Sequence, residues 1–132
     1  DYPKIVFGFY NNDLYLKSSE TYDGEKIFQI ANEIIFETYN ELLLDFCETF
    51  PQEVNKFNQF KLSGDMVNYE IIVHALKSNC RTLGFMSTGE MFYQHELASK
   101  QNDVNYVNEH YNELINEVNR VYAILTKYKA MV

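Results

Sequence analysis

His74, Lys77 and Ser78 fall at positions i, i+3 and i+4 of the run His74-Ala75-Leu76-Lys77-Ser78-Asn79-Cys80-Arg81-Thr82-Leu83-Gly84. If the run is helical, side chains three and four apart share a face. An imidazole, an ammonium group and a small residue then meet on one surface. Neutral imidazole is a good nucleophile near neutral pH, because its unperturbed pKa is about 6.5. Attack on a phosphoryl group gives a phosphoramidate of high transfer potential. A carrier of this kind needs an exposed ring and a cation to offset a charge of about −2 on the phosphoryl oxygens. It also needs low neighbouring surface, so that a donor protein can approach in line. His74, Lys77 and Ser78 meet these needs in that order. The plain alternative is a solvated helix face on which Lys77 and Arg81 are ordinary surface charges.

The elements that must position these residues are helical from Gly24 onward. Ile27, Ile30, Ala31, Ile34 and Ile35 follow the helical period, and Tyr39, Leu42, Leu43, Phe46, Cys47 and Phe50 continue it. One long helix or two consecutive ones cover 25–50. Thr49-Phe50-Pro51-Gln52 reads as a new start, with Thr49 as cap and Pro51 in the first turn. Val54, Phe57, Phe60 and Leu62 give that helix its apolar side. Ser63-Gly64-Asp65 ends it and caps the next. The helix over 66–84 has the stripe Tyr69, Ile72, Val73, Leu76, Cys80 and Leu83. His74, Lys77, Ser78 and Arg81 cluster about 130° from its centre, on a lateral, wet side. Ser87-Thr88-Gly89-Glu90 reads as a capping box for a helix over 88–101. Asp103 caps a last helix on which Val104, Val107, Tyr111, Leu114, Ile115, Val118, Val121, Tyr122 and Leu125 keep the period. Short loops between such helices predict an all-α, antiparallel four-helix bundle over 25–132. Residues 1–24 form an N-terminal extension or linker. Within it, 4–10 and 13–17 have the composition of two short β-runs around a turn, although an irregular linker fits as well.

The totals narrow the partners. The chain has 132 residues, 46% hydrophobic and 16% aromatic, enough for a core in one domain. Its net charge of −8 argues against nucleic acid, which demands a basic surface. No apolar run is long enough for a membrane span, and no signal-peptide pattern opens the chain. The first residue is Asp1 rather than Met, which suggests a piece of a longer chain. Cys47 and Cys80 lack CxxC spacing and have apolar neighbours, so buried reduced thiols in a cytoplasmic protein are expected.

The run from His74 to Gly84 resembles the signature of histidine-containing phosphotransfer domains: His, any residue, Leu, Lys, a small residue, two more small residues, then Leu or Ile and Gly. The likeness extends over roughly 35–125. Tyr39-Asn40-Glu41-Leu42-Leu43-Leu44-Asp45-Phe46 resembles the family's preceding core helix. Glu96 lies where the family's next helix passes the histidine and often carries Gln or Glu. Lys100, one turn on, matches a position that is sometimes basic and touches the partner. Four residues depart from the pattern. Ser78 replaces the commoner Gly, Asn79 and Cys80 stand for two small residues, Phe85 is bulky, and His95 takes a usually apolar place.

The resemblance implies a phosphorelay carrier rather than an enzyme. Its partners would be receiver domains of response regulators or hybrid kinases. A receiver phosphorylated on Asp would dock around His74, with Ser78, Arg81 and Lys100 at the contact. His74 would take the phosphoryl group, Lys77 would steady it, Glu96 would orient the ring, and a second receiver would collect it. Mg²⁺ would come from the partner, since no acidic cluster is present to bind it. A metal site of this chain's own is not expected: Glu70 and His74 lack the second Glu-x-x-His of a di-metal bundle. His95 and His110 show no partner set in the sequence. The alternatives are a docking module that binds receivers without phosphotransfer, or the phosphoacceptor dimerisation domain of a histidine kinase. The latter usually reads His-Glu or His-Asp, whereas Ala75 follows His74 here; a monomer is expected.

Overall fold

The computed structural model describes the backbone of residues 5–10, 13–18 and 25–131 and the side chains of residues 37–130. Ile5–Tyr10 (β1) and Asp13–Ser18 (β2) pair antiparallel, with Ile5 opposite Ser18 and Tyr10 opposite Asp13. From Glu25 on the chain is helical. The elements are α1 (Glu25–Ser63), α2 (Met66–Leu83), α3 (Met86–Lys100), α4 (Val104–Glu109) and α5 (Tyr111–Met131). From Glu25 on the described residues are therefore all-α, five helices with antiparallel packing. Two-residue turns reverse α1 into α2 and α2 into α3. Helix α5 returns along α1, bringing Tyr111 to Asn58, Leu125 to Cys47 and Tyr128 to Asn40.

The first departure from expectation is at Pro51, which lies inside α1 rather than at a helix start. A proline in a helix interior costs about 3 kcal/mol. Against that stand Phe46, Phe50 and Phe57, which are 3%, 0% and 0% exposed and lie on one continuous stripe across the proline. Each buried phenylalanine contributes about 1.5–3 kcal/mol, so the stripe outweighs the break. Phe46 and Phe50 also pack ring on ring at 4.9 Å.

Helix α2 follows its sequence pattern. Asp65 accepts the Asn68 amide as N-cap, and Tyr69, Val73, Leu76, Cys80 and Leu83 are buried. Gly84 closes the helix at φ 92°, a left-handed conformation that suits glycine. The Gly84 and Phe85 amides reach back to Arg81 and Cys80 carbonyls. Phe85, buried against Phe46, ends that motif and also begins α3. Helix α3 thus starts two residues before the expected 88, and Ser87-Thr88-Gly89-Glu90 does not cap it. Thr88 instead turns inward and donates to Glu117 on α5.

The last expected helix is two. Asp103 caps α4 by accepting from the Tyr106 amide, and the helix breaks at His110 (φ −103°). The His110 carbonyl faces the ring of His95 at this break.

Candidate functional site

Helices α2 and α3 run side by side, and the site is built across them. His74 lies on the lateral face of α2 with 59% of its side chain exposed. Glu96, from α3, is 2% exposed and reaches it from beneath. One carboxylate oxygen meets His74 Nδ1; the other accepts from Lys77 Nζ at 2.7 Å. Lys77 Nζ is also 3.3 Å from His74 Nδ1.

These contacts favour one proton arrangement over the other. Burial opposes ionisation of Glu96, but the hydrogen bonds from Lys77 and His74 outweigh it and hold the carboxyl below the usual carboxylate range. An ionised carboxylate only accepts, and an ammonium only donates. Lys77 Nζ is nearer to Glu96 than to Nδ1, and a lone pair on Nδ1 would face the ionised carboxylate, so the favoured form has the hydrogen on Nδ1, donated to Glu96. In a neutral imidazole the other nitrogen then holds the lone pair. Nε2 is that nitrogen, on an exposed ring.

Lys77 is placed differently from a free phosphoryl clamp. Its side chain is only 12% exposed, it is bonded to Glu96, and it lies 5.1 Å from the centroid of the Tyr93 ring. In this arrangement the ammonium serves the Nδ1 side of the imidazole. Arg81 rests over the same ring at 5.2 Å and approaches Glu90 at 3.5 Å. Gly89 makes this crossing possible, since a Cβ there would stand 2.8 Å from Arg81 Cγ. Ser78 is exposed, and so is Lys100. Glu70, Ile71, His74, Glu96 and Lys100 line a concavity of about 290 Å³ beside the imidazole. The structure thus gathers His74, Lys77 and Glu96 into one bonded group, with Lys100 on its rim and Arg81 on the far side of Lys77.

Sequence reasoning passed over two residues here. Tyr93 carries no motif signal, although its place three residues before Glu96 puts it on the same side of α3. His95 has partners after all. It is 2% exposed, and the Tyr69 hydroxyl is hydrogen-bonded to its Nδ1 at 2.9 Å. Burial pushes its pKa down to about 4. His110 likewise has Glu113 at 3.3 Å. Cys47 and Cys80 are free thiols, and burial pushes both upward.

Among the described residues no group of three or more His, Cys, Asp and Glu side chains is placed to hold a metal ion. No described helix is long and apolar enough to cross a membrane. A larger concavity, about 520 Å³, is lined only by α1 and α5 residues such as Cys47, Pro51, Tyr122 and Leu125, and shares nothing with the His74 group. No protein-family model, curated protein or solved structure matches this chain.

Proposed function

We propose that this chain is a phosphorelay carrier of the histidine-containing phosphotransfer type, with His74 as the phosphoryl acceptor. The observation that carries the reading is an exposed imidazole whose Nδ1 is held by a buried, ionised Glu96. That bond fixes the tautomer and leaves the Nε2 lone pair for attack on a partner's aspartyl phosphate. Nε2 forms the N–P bond as the P–O bond to the aspartate breaks, and the carboxylate leaves. Positive charge gathering on the imidazole is offset by Glu96 through Nδ1–H. Lys77 keeps Glu96 ionised and aimed; it reaches the phosphoryl group only by leaving the carboxylate. The partner supplies Mg²⁺ and an approach over Ser78, Arg81 and Lys100. Receiver domains on either side of the relay, cytoplasmic location and a monomeric carrier belong to the same proposal.

The test mixes the chain with an aspartate-phosphorylated receiver domain and Mg²⁺, then looks for acid-labile, base-stable label. Label is expected on the wild type and absent from His74→Gln. Label persisting in that variant would remove His74 from the site.

One observation favours a second reading, a receiver-docking module without transfer: the ammonium that should meet the phosphoryl group is committed to Glu96. A wild-type chain that binds the receiver but takes no label would establish it.

A further inference from the structure

Besides the exposed Arg81–Glu90 pair, helices α2 and α3 are joined by two polar rungs, and only the outer one includes the proposed nucleophile. The outer rung is Glu96 with His74 and Lys77. The inner rung is His95 with Tyr69, buried one residue away on α3 and five residues away on α2. We propose that His95 is a positioning residue: its bond to Tyr69 sets the rotation of α3 and so keeps Glu96 on His74. This rests on the carrier reading for its consequence, but not for its geometry.

Three observations support the assignment. First, α3 is thinly anchored by apolar contacts. Phe92 is the one large apolar side chain among its fully buried residues, with Met91 part-buried against the core; the rest of the buried set are small or polar, including Thr88, His95, Glu96 and Ser99. A helix with so narrow an apolar face depends in part on directional bonds to fix its rotation. Second, the His95 ring is held on several sides. Tyr69 Oη is hydrogen-bonded to Nδ1, the Tyr106 ring meets it edge to face at 5.7 Å, and the His110 carbonyl faces it where α4 breaks from α5. Third, adjacent residues on a helix are 100° apart. A small rotation of α3 that loosened His95 would therefore swing Glu96 away from the imidazole by the same angle. An ordinary apolar residue at 95 would fill the space without fixing that angle.

The experiment reads the His74 tautomer in the full chain by two-bond ¹H–¹⁵N correlation, without any phosphoryl donor. The wild type is expected to hold the Nδ1–H form. In His95→Leu and in Tyr69→Phe the ratio of Nδ1–H to Nε2–H should fall about tenfold, the effect of losing one hydrogen bond to a charged acceptor. His95→Asn keeps an acceptor for Tyr69 and should restore the ratio. Val121→Ala, a core change on α5, should weaken the fold and leave the tautomer alone. Label uptake from a phosphorylated receiver should fall about tenfold in His95→Leu and recover in His95→Asn. If His95→Leu fails to fold, Tyr69→Phe decides. Wild-type tautomer ratios in the folded variants would overturn the proposal, as would an equal shift in Val121→Ala. A wild-type chain that takes no label would end the carrier reading and leave the tautomer result standing.

Discussion

Replacing Lys77 by Met removes the ammonium, and with it the contact over the Tyr93 ring, and keeps most of the side chain's apolar length. The structure sets the expected size of the loss. Lys77 and Glu96 are 12% and 2% exposed, with 2.7 Å between Nζ and the carboxylate oxygen. Exposed ion pairs are worth about 0–1 kcal/mol, but that range applies to pairs water can screen. A hydrogen bond to a charged group contributes about 1.5–3 kcal/mol. We expect Lys77→Met to lose about 2 kcal/mol at pH 7, with the urea m-value unchanged because the same surface is exposed on unfolding. The matching fall in Tm is roughly 6–10 °C for a chain of this size. The loss should also depend on pH. In the wild type Glu96 is more acidic folded than unfolded, so its contribution is present above the unfolded value of about 4.3 and lost as pH falls through the folded one. Without Lys77, burial is opposed by His74 alone and the carboxyl titrates higher. The gap between variant and wild type should therefore narrow as the pH drops below about 4. Urea unfolding followed by circular dichroism, together with a ¹³C titration of the Glu96 carboxyl, measures both effects. A loss under about 0.5 kcal/mol at pH 7 would refute the reasoning, since that is the spread of indifferent surface substitutions. A gap equally wide at low pH would refute it as well.

Further measurements bear on the rest of the molecule. His95 titrates near 4 when folded, below its unfolded value of about 6.5, so the unfolded chain binds that proton first; roughly 3 kcal/mol of stability should be lost as pH falls from about 6.5 toward 4, and His95→Asn should remove that slope in urea unfolding. Thr88→Val removes one of two donors to Glu117 Oε2, with Arg120 Nη2 remaining at 2.9 Å, and equilibrium unfolding should show a loss of about 1 kcal/mol. Toward a thiol reagent under native conditions, the half-buried Cys47 should react well before Cys80, which is buried and held protonated; equal rates would mean α2 opens readily.

Helix α2 was legible because every local signal agreed: an aspartate cap, a stripe of five buried apolar residues and a glycine at the left-handed stop. At Pro51 and at Ser87-Thr88-Gly89-Glu90 the local chemistry argued for helix starts, and burial elsewhere overruled it. Phe50 and Phe57 bind α1 into one rod, while buried Phe85 starts α3 early. The break at His110 has no glycine or proline to announce it. Within the site, His74, Lys77 and Glu96 were visible as residue types at suggestive positions. The resemblance implied the contact of Glu96 with His74, but the bond from Lys77 to Glu96 was not visible, because Glu96 selects Lys77 from across a helix pair. The partner of His95 stands 26 positions away, and no local pattern encodes such a pairing.

The turn at Gly84 and Phe85 has a kinetic meaning. It places His74, Lys77 and Glu96 within one helical hairpin, so the group closes across a separation of 22 residues. Loop-closure entropy grows only slowly with length, and near-neighbour contacts of this kind favour rapid assembly. The chemistry-bearing part of the molecule is thus expected to order early as the chain folds, ahead of the long-range pairing of α1 with α5. Substitutions in the hairpin should chiefly slow folding, and those along the α1–α5 seam should chiefly speed unfolding.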